Sequence, residues 1–324
     1  MIPEDLRTIA MLDWIENDLL LDVAQCQPAS SDASFRRYFR LKTAAQNYIV
    51  MDAPPERENL SAFIKVAELL QQSEIRVPII YQQNQSDGFL LLEDFGSQCL
   101  LDLAGTEHIP KLYQTAMDSI LQLQNCRKLT TAELPIYDVA LLERELGVFE
   151  EWYLNQFLDI TPPDCWHATK TLLIDSALGQ PSTFVHRDFH SRNLMVLPDS
   201  LLGIIDFQDA VIGPITYDLV SLLRDCYIAW PEPQVQQWLA SYHQALATLG
   251  LTQVSLTEFK RWFDLMGMQR HLKAVGIFAR LHQRDGKSNY LQDIPRTLNY
   301  IQAVCQNHPD LVAFGEFIQR LPGA

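Results

Sequence analysis

The chain is expected to fold as an α+β protein with two lobes: a small antiparallel-sheet lobe over residues 1–95 and a larger, mainly helical lobe over residues 96–324. Two textures predict this. Short apolar or alternating runs bounded by turn residues fill the first hundred positions, whereas long segments of helical period dominate the remainder of the chain. The length of 324 residues also suits two lobes better than one.

Leu6, Ile9, Ile15 and Leu19 recur at helical spacing, so residues 5–21 should form an amphipathic helix. From Ser34 to Asp52, SFRRYFRLK and YIVMD flank a polar TAAQN turn and read as two antiparallel strands, the second stopped by Pro54 and Pro55. A helix over residues 58–72 comes next, with Leu60, Phe63, Ile64, Ala67 and Leu70 on one side. VPIIYQQ and FLLLEDFG are two more strands, separated by turn-forming residues 84–88. Residues 109–125, 138–157 and 164–178 are helical by period. Residues 183–185, 194–197 and 202–205 are brief strands, and the chain from Thr216 onward is again mostly helical. The division falls near residues 93–98, so a ligand is expected in the cleft between the lobes.

With 25 Lys and Arg against 40 Asp and Glu, the net charge of −15 excludes a protein that coats nucleic acid. No apolar run approaches the roughly 18 residues that cross a bilayer. The start, MIPEDLRTIAMLDWIENDLL, is acidic where an export signal would be basic and then apolar. Six scattered cysteines without a CxxC pair suit reduced thiols. A soluble cytoplasmic protein without membrane partners is the expectation, and a monomer.

The segment FVHRDFHSRNLMVLPDSLLGIIDFQDA, residues 184–210, carries the chemistry. Asp188, Asn193 and Asp206 each leave or enter a short apolar strand, and strand ends fix the polar groups they carry. Two carboxylates and an amide oxygen are hard ligands suited to Mg²⁺ and substrate phosphates, which points to phosphoryl transfer.

These residues resemble the H-R-D-x-x-x-x-N and Asp-Phe motifs of the protein-kinase fold. The resemblance implies a bilobal kinase-like architecture, with Asp188 as the acid of the catalytic loop, Asn193 and Asp206 as Mg²⁺ ligands, and His186 as structural support. Gln208 stands where a glycine is usual, and no activation loop fits before Gly213, Pro214, Tyr217 and Asp218. Those departures are similar to the aminoglycoside phosphotransferase-like small-molecule kinases, in which the last aspartate braces the catalytic loop. A helix N-cap role for Asp218 stays open on the residues alone.

The loop ASSDASFRR, residues 29–37, should face ATP. It lacks glycines but offers Ser30, Ser31 and Ser34, followed by Arg36, Arg37 and Arg40. Strand alternation separates Arg37 from the other two arginines. The strand that should bear a phosphate-clamping lysine offers Met51 and Asp52 instead, so an arginine from the preceding strand replaces it or nucleotide binding is altered. Glu58 and Glu68 are the nearby acids. Backbone groups around Glu93 to Phe95 should meet the adenine.

Gln269, Lys273, Gly276, Arg280 and Arg284 line one edge of a late helix, a pattern that a solvated face also produces. With DASFRRYFR, MDAPPE, GFLLLEDFG, HRDFHSRNLM and QRHLKAVGIFARLHQRDGK, the chain resembles the bacterial anomeric kinases for N-acetylmuramate and N-acetylglucosamine of cell-wall sugar recycling. The resemblance implies ATP and Mg²⁺ as cofactors and a small-molecule amino sugar phosphorylated at the C1 hydroxyl. It also makes the missing lysine a trait of that group. A carboxylate-bearing sugar calls for local cations: Arg187, Arg192, Arg224, Lys273 and Arg280 are candidates, with His190 for a sugar hydroxyl. An aminoglycoside, choline or homoserine acceptor is the alternative, and a nucleotide-binding scaffold the non-enzyme reading.

Overall fold

A computed structural model describes residues 5–30 and 35–322; Ser31 and Ser34 lie outside the described residues. Packing divides the chain into two units, the first drawn from the chain up to Asp102 together with Asn193–Asp209, the second from Leu103–Arg192 and the chain from Ala210.

The first unit rests on an antiparallel sheet ordered β1 (Val23–Ser30), β2 (Arg37–Thr43), β3 (Asn47–Asp52), β5 (Phe89–Glu93), β4 (Ile80–Asn84). Alternation puts Phe39 and Leu41 of β2, Val50 of β3 and Phe89 and Leu91 of β5 on one face. Helix α1 (Leu6–Asp13) covers that face with Met11, and Trp14 and Ile15 extend the contact. Beyond α1 the helix widens to π geometry over Trp14–Asp18, where Leu19 N–H reaches back to Trp14 O at 3.0 Å. Helix α2 (Leu60–Gln71) starts at Asn59, whose side chain accepts the Ala62 N–H at 3.2 Å. The hairpin Leu194–Val196 with Leu202–Ile204 joins this unit through the bridge of Met195 to Cys99 and the Ile204 N–H to Arg76 O bond of 2.8 Å.

Strand β1 is not expected from the sequence. VAQCQPAS is weakly apolar and holds a proline, which a strand tolerates at a sheet edge; the pairing with β2 shifts register between Pro28 and Ser30.

In the second unit, α3 (Ile109–Asn125), the one-turn α4 (Arg127–Thr130), α5 (Val139–Val148) and α6 (Trp166–Leu178) precede a strand pair, Ser182–Val185 with Val211–Pro214. Helix α5 continues as a π segment, Phe149–Phe157. Then come α7 (Tyr217–Leu223), α8 (Glu232–Thr248), α9 (Leu256–Asp285), α10 (Ile294–Asn307) and α11 (Val312–Ile318). Helix α9, 30 residues long, is the axis of this unit: α5, α6, α7, α8 and α10 all touch it. Its middle, Leu265–Leu272, is buried on every side, as expected of a core helix. Among the described residues no helix is long and apolar enough to cross a membrane.

Gly276 lets α9 approach α5 closely, because a Cβ there would lie 2.5 Å from Val148 O and 2.6 Å from Phe149 N. Both contacts are backbone, so relief requires moving a helix. Gly276→Ala should therefore lose about 1–3 kcal/mol despite the better helix propensity of alanine, read as a lower urea midpoint at unchanged slope.

Candidate active site

In the second unit, the strand Ser182–Val185 runs into a loop whose backbone is held by two carboxylates on and just after α7. Asp218, 1% exposed, accepts the N–H groups of His186 at 2.7 Å and Arg187 at 3.0 Å. Arg187 sits at φ 76°, a left-handed conformation that a non-glycine residue keeps only when its surroundings impose it. Asp225, fully buried, accepts the Ser191 N–H at 2.9 Å and the Tyr227 N–H at 2.9 Å. Thr216, not Asp218, is the N-cap of α7. Burial pushes the Asp218 carboxyl up to about 7, against the pull of its two N–H donors. Between the two anchors, Asp188 N–H meets His186 Nδ1 at 3.3 Å, and the His186 ring lies edge-on to Phe189.

Glu145 organises the charges beside this loop. One of its oxygens takes Arg187 and Lys273, the latter at 3.1 Å; the other takes the Tyr137 hydroxyl and Gln269 Nε2, the latter at 3.0 Å. Burial would raise the Glu145 pKa, yet Lys273 and Arg187 outweigh it and hold the group at about 2. The same holds for half-buried Asp188: its environment penalises charge, but Lys273 and Arg187 keep it ionised, with a pKa of about 2. Two cations thus serve two carboxylates.

The other sequence candidates divide. Arg224 is committed to Asp264 at 2.8 Å and reaches Glu232 at 3.4 Å. Arg280 lies two turns beyond Lys273 on α9, where burial and neighbouring Arg284 lower its pKa. Arg192 lies 3.7 Å over the Tyr227 ring and 5.8 Å from the Tyr290 centroid. His190 packs edge-on to the same Tyr227, and burial lowers its pKa, which leaves a neutral imidazole at pH 7.

In the first unit, Asn193 Nδ2 is 3.3 Å from Asp206 Oδ2, and Gln208 Nε2 donates to Asp206 Oδ1 at 2.9 Å. Asp206 is held at φ 64°, with Phe207 buried against Phe63. Arg36 Nε donates to Glu58 at 3.1 Å and its Nη1 lies 3.9 Å from Asp206. Arg37 bonds Asp5 and the buried Asp52, which also takes Arg7. Arg40 clamps Asp94 at 2.7 and 2.9 Å. The Glu93 carboxylate pairs with Arg76, and its N–H already donates to Ile79 O at 2.9 Å. The Phe95 ring lies against Gly203, where a Cβ would come within 2.4 Å of it. Glu145 and Asp225 are absent from the candidates that the sequence suggests; the recurrence of Asp218 and Asp225 on one face of YDLVSLLRD is the signal that points to Asp225.

Residues 25–253 match the sequence profile of the Phosphotransferase enzyme family. An N-acetylmuramate/N-acetylglucosamine kinase of Pseudomonas putida is 43% identical over 336 residues, covering 99% of this chain and 98% of that protein. A protein of the same name from Neisseria meningitidis is 38% identical over 98% of this chain and 96% of its own length. Among solved structures, the choline kinase LicA of Streptococcus pneumoniae superposes with a TM-score of 0.65 at 14% identity, covering 91% of this chain and 99% of that one. Spectinomycin phosphotransferase APH(9)-Ia, solved with ADP and spectinomycin, gives 0.58 at 13%, covering 99% and 100%. These likenesses bear out the expected kinase-like α+β fold, and with the profile and the relatives they place the chain in the Phosphotransferase enzyme family.

Proposed function

We propose that this enzyme transfers the γ-phosphoryl group of ATP to the anomeric C1 hydroxyl of N-acetylmuramate and N-acetylglucosamine. The near-full-length identity of 43% to a kinase named for both sugars carries the reading. A cytoplasmic monomer is the accompanying proposal.

Asn193 and Asp206 fit Mg²⁺: the Asn193 amide stands beside the Asp206 carboxylate, its Nδ2 3.3 Å from Oδ2, and its Oδ1 with the carboxylate would supply two hard oxygen donors of the kind that leave room for water and phosphate. Bound Mg²⁺ would neutralise charge on the phosphates.

Asp188 would accept a hydrogen bond from the C1 hydroxyl and align it. A carboxylate with a pKa of about 2 is a weak base, so its contribution is alignment first and proton acceptance late, which suits a loose phosphoryl-transfer transition state. Asp218, with His186 and Asp225, would keep Asp188 at that position. His190, neutral at pH 7, would serve a sugar hydroxyl. Backbone around Glu93 to Phe95 would hold adenine, with Ser31, Ser34 and Arg36 on the phosphate side; Arg37, expected there from the sequence, is instead paired with Asp5 and Asp52.

The lactyl carboxylate of N-acetylmuramate needs a cation that is not already locked in a salt bridge. Arg187 and Lys273 share Glu145, and Arg224 is bonded to Asp264. Arg192 is presented on tyrosine faces, which leaves the edge of its guanidinium for a carboxylate, with Arg280 as the secondary contact.

Incubation of ATP with either sugar should yield a ³¹P signal coupled to the anomeric proton; a 6-phosphate or no product would end the reading. Asp188→Asn should lower kcat about 10²- to 10⁴-fold in enzyme that still folds, with some loss of melting temperature because Lys273 and Arg187 then lack one of their two carboxylates. Arg192→Ala should raise KM for N-acetylmuramate about tenfold and leave that for N-acetylglucosamine nearly unchanged, the loss of one charged hydrogen bond. Glu145→Gln leaves Arg187 and Lys273 without their carboxylate and should destabilise by about 3–5 kcal/mol near pH 7. The folded pKa of Glu145, about 2, lies below its usual 4.5, so its contribution is complete above pH 4.5 and fades as pH falls toward 2. Urea midpoints of wild type and variant should therefore converge in acid.

A further inference from the structure

We infer that Arg36, held in place by Glu58, supplies the phosphate-contacting cation that lysine-free strand β3 lacks. This rests on the reading of the enzyme as an ATP-dependent kinase. Three arginines stand at the start of β2, and the structure separates their duties. Arg37 is committed to Asp5 and Asp52, and Arg40 to Asp94 and the Gly96 carbonyl. Arg36 alone of the three lies toward the Asp206 carboxylate, 3.9 Å away, with its side chain 10% exposed.

Glu58 fixes it from two directions. One carboxylate oxygen accepts Arg36 Nε at 3.1 Å and the other accepts the Phe35 N–H at 3.2 Å, so the backbone before β2 and the guanidinium are positioned together. Glu58 precedes α2 and thereby fills the place of a helix acid that steadies a cation. A guanidinium presents its donors in a rigid fork, so it can bind Glu58 along one edge and a phosphate along another.

Met51 explains why the cation comes from elsewhere. Arg36, Met51, Glu58, Phe63, Gln208 and Asp209 line one cavity, whereas the adjacent Asp52 is engaged by Arg7 and Arg37. Position 51, not 52, therefore projects toward the cavity. A lysine at 51 would set a second cation beside Arg36, and methionine avoids that repulsion. The lysine has changed address.

The test is calorimetric binding of ADP to the intact enzyme without sugar, alongside steady-state kinetics. Arg36→Ala should weaken ADP about 10- to 100-fold, the range of a lost charged hydrogen bond, while KM for the sugar stays within about twofold. Arg36→Lys should recover part of the affinity, and adding Met51→Lys to Arg36→Ala should recover more than Arg36→Ala alone. Glu58→Gln, which keeps the guanidinium but loosens its mooring, should weaken ADP by less than Arg36→Ala. Folded Arg36→Ala enzyme that binds ADP as wild type does, or equal loss of ADP and sugar affinity, overturns the assignment. If wild-type enzyme binds ADP but phosphorylates neither amino sugar, the proposed acceptor is wrong and the role of Arg36 stands. If it binds no nucleotide, both fall.

Discussion

Two buried carboxylates, one on α7 and one just past its end, take four backbone N–H groups between them, and the position of Asp188 depends on that grip. Without Asp218, the left-handed turn at Arg187 loses the carboxylate that accepts its backbone N–H, and the conformation is unfavourable for an L-residue that carries a Cβ. Without Asp225, the far end of the loop at Ser191 is loose. Hydrogen bonds from backbone N–H to an ionised carboxylate are shorter and stronger than those between neutral groups, so the grip of Asp218, which burial raises to about 7, tightens as the group ionises. A loop fastened this way at both ends presents its side chains with little freedom, which is what a reaction driven by placement requires.

Charge in this molecule is allotted locally. The chain as a whole repels anions, with 40 acidic against 25 basic residues. Around Asp188 that balance is reversed by Arg187 and Lys273, and Glu145 absorbs part of their charge. The arrangement keeps Asp188 ionised while leaving no large positive excess, and Glu145 itself is stabilised by the same cations. Removing any one member would leave a charge unanswered in a poorly solvated place.

The motif residues were legible because they sit at fixed chain offsets on strand ends, where the sequence itself sets geometry. The sheet was legible where apolar residues alternate, as in β3 and β5, and illegible at β1, whose edge position needs little apolar surface. The role of the N-terminal helix was also hidden, since Met11, Trp14 and Ile15 declare their partners only once Phe39, Val50 and Phe89 are assembled. Cations were the hardest. Lys273 and Gln269 look like a wet helix edge in sequence, yet both turn inward to Glu145, a residue far away in the chain.

That last difficulty has a physical root. Periodicity reports which face a residue occupies, but an ion pair is decided by a partner drawn from any part of the chain, and no local pattern carries that information. The arginines of FRRYFR illustrate it: neighbours in sequence, they serve Glu58, Asp52 and Asp94 respectively, three carboxylates on different elements. Alternation correctly separates Arg37 from Arg36 and Arg40, but it cannot separate Arg36 from Arg40. The carboxylates do so, because each guanidinium near a poorly solvated acid lowers its energy by pairing with that acid. Function is then left to the one whose partner directs it toward Asp206.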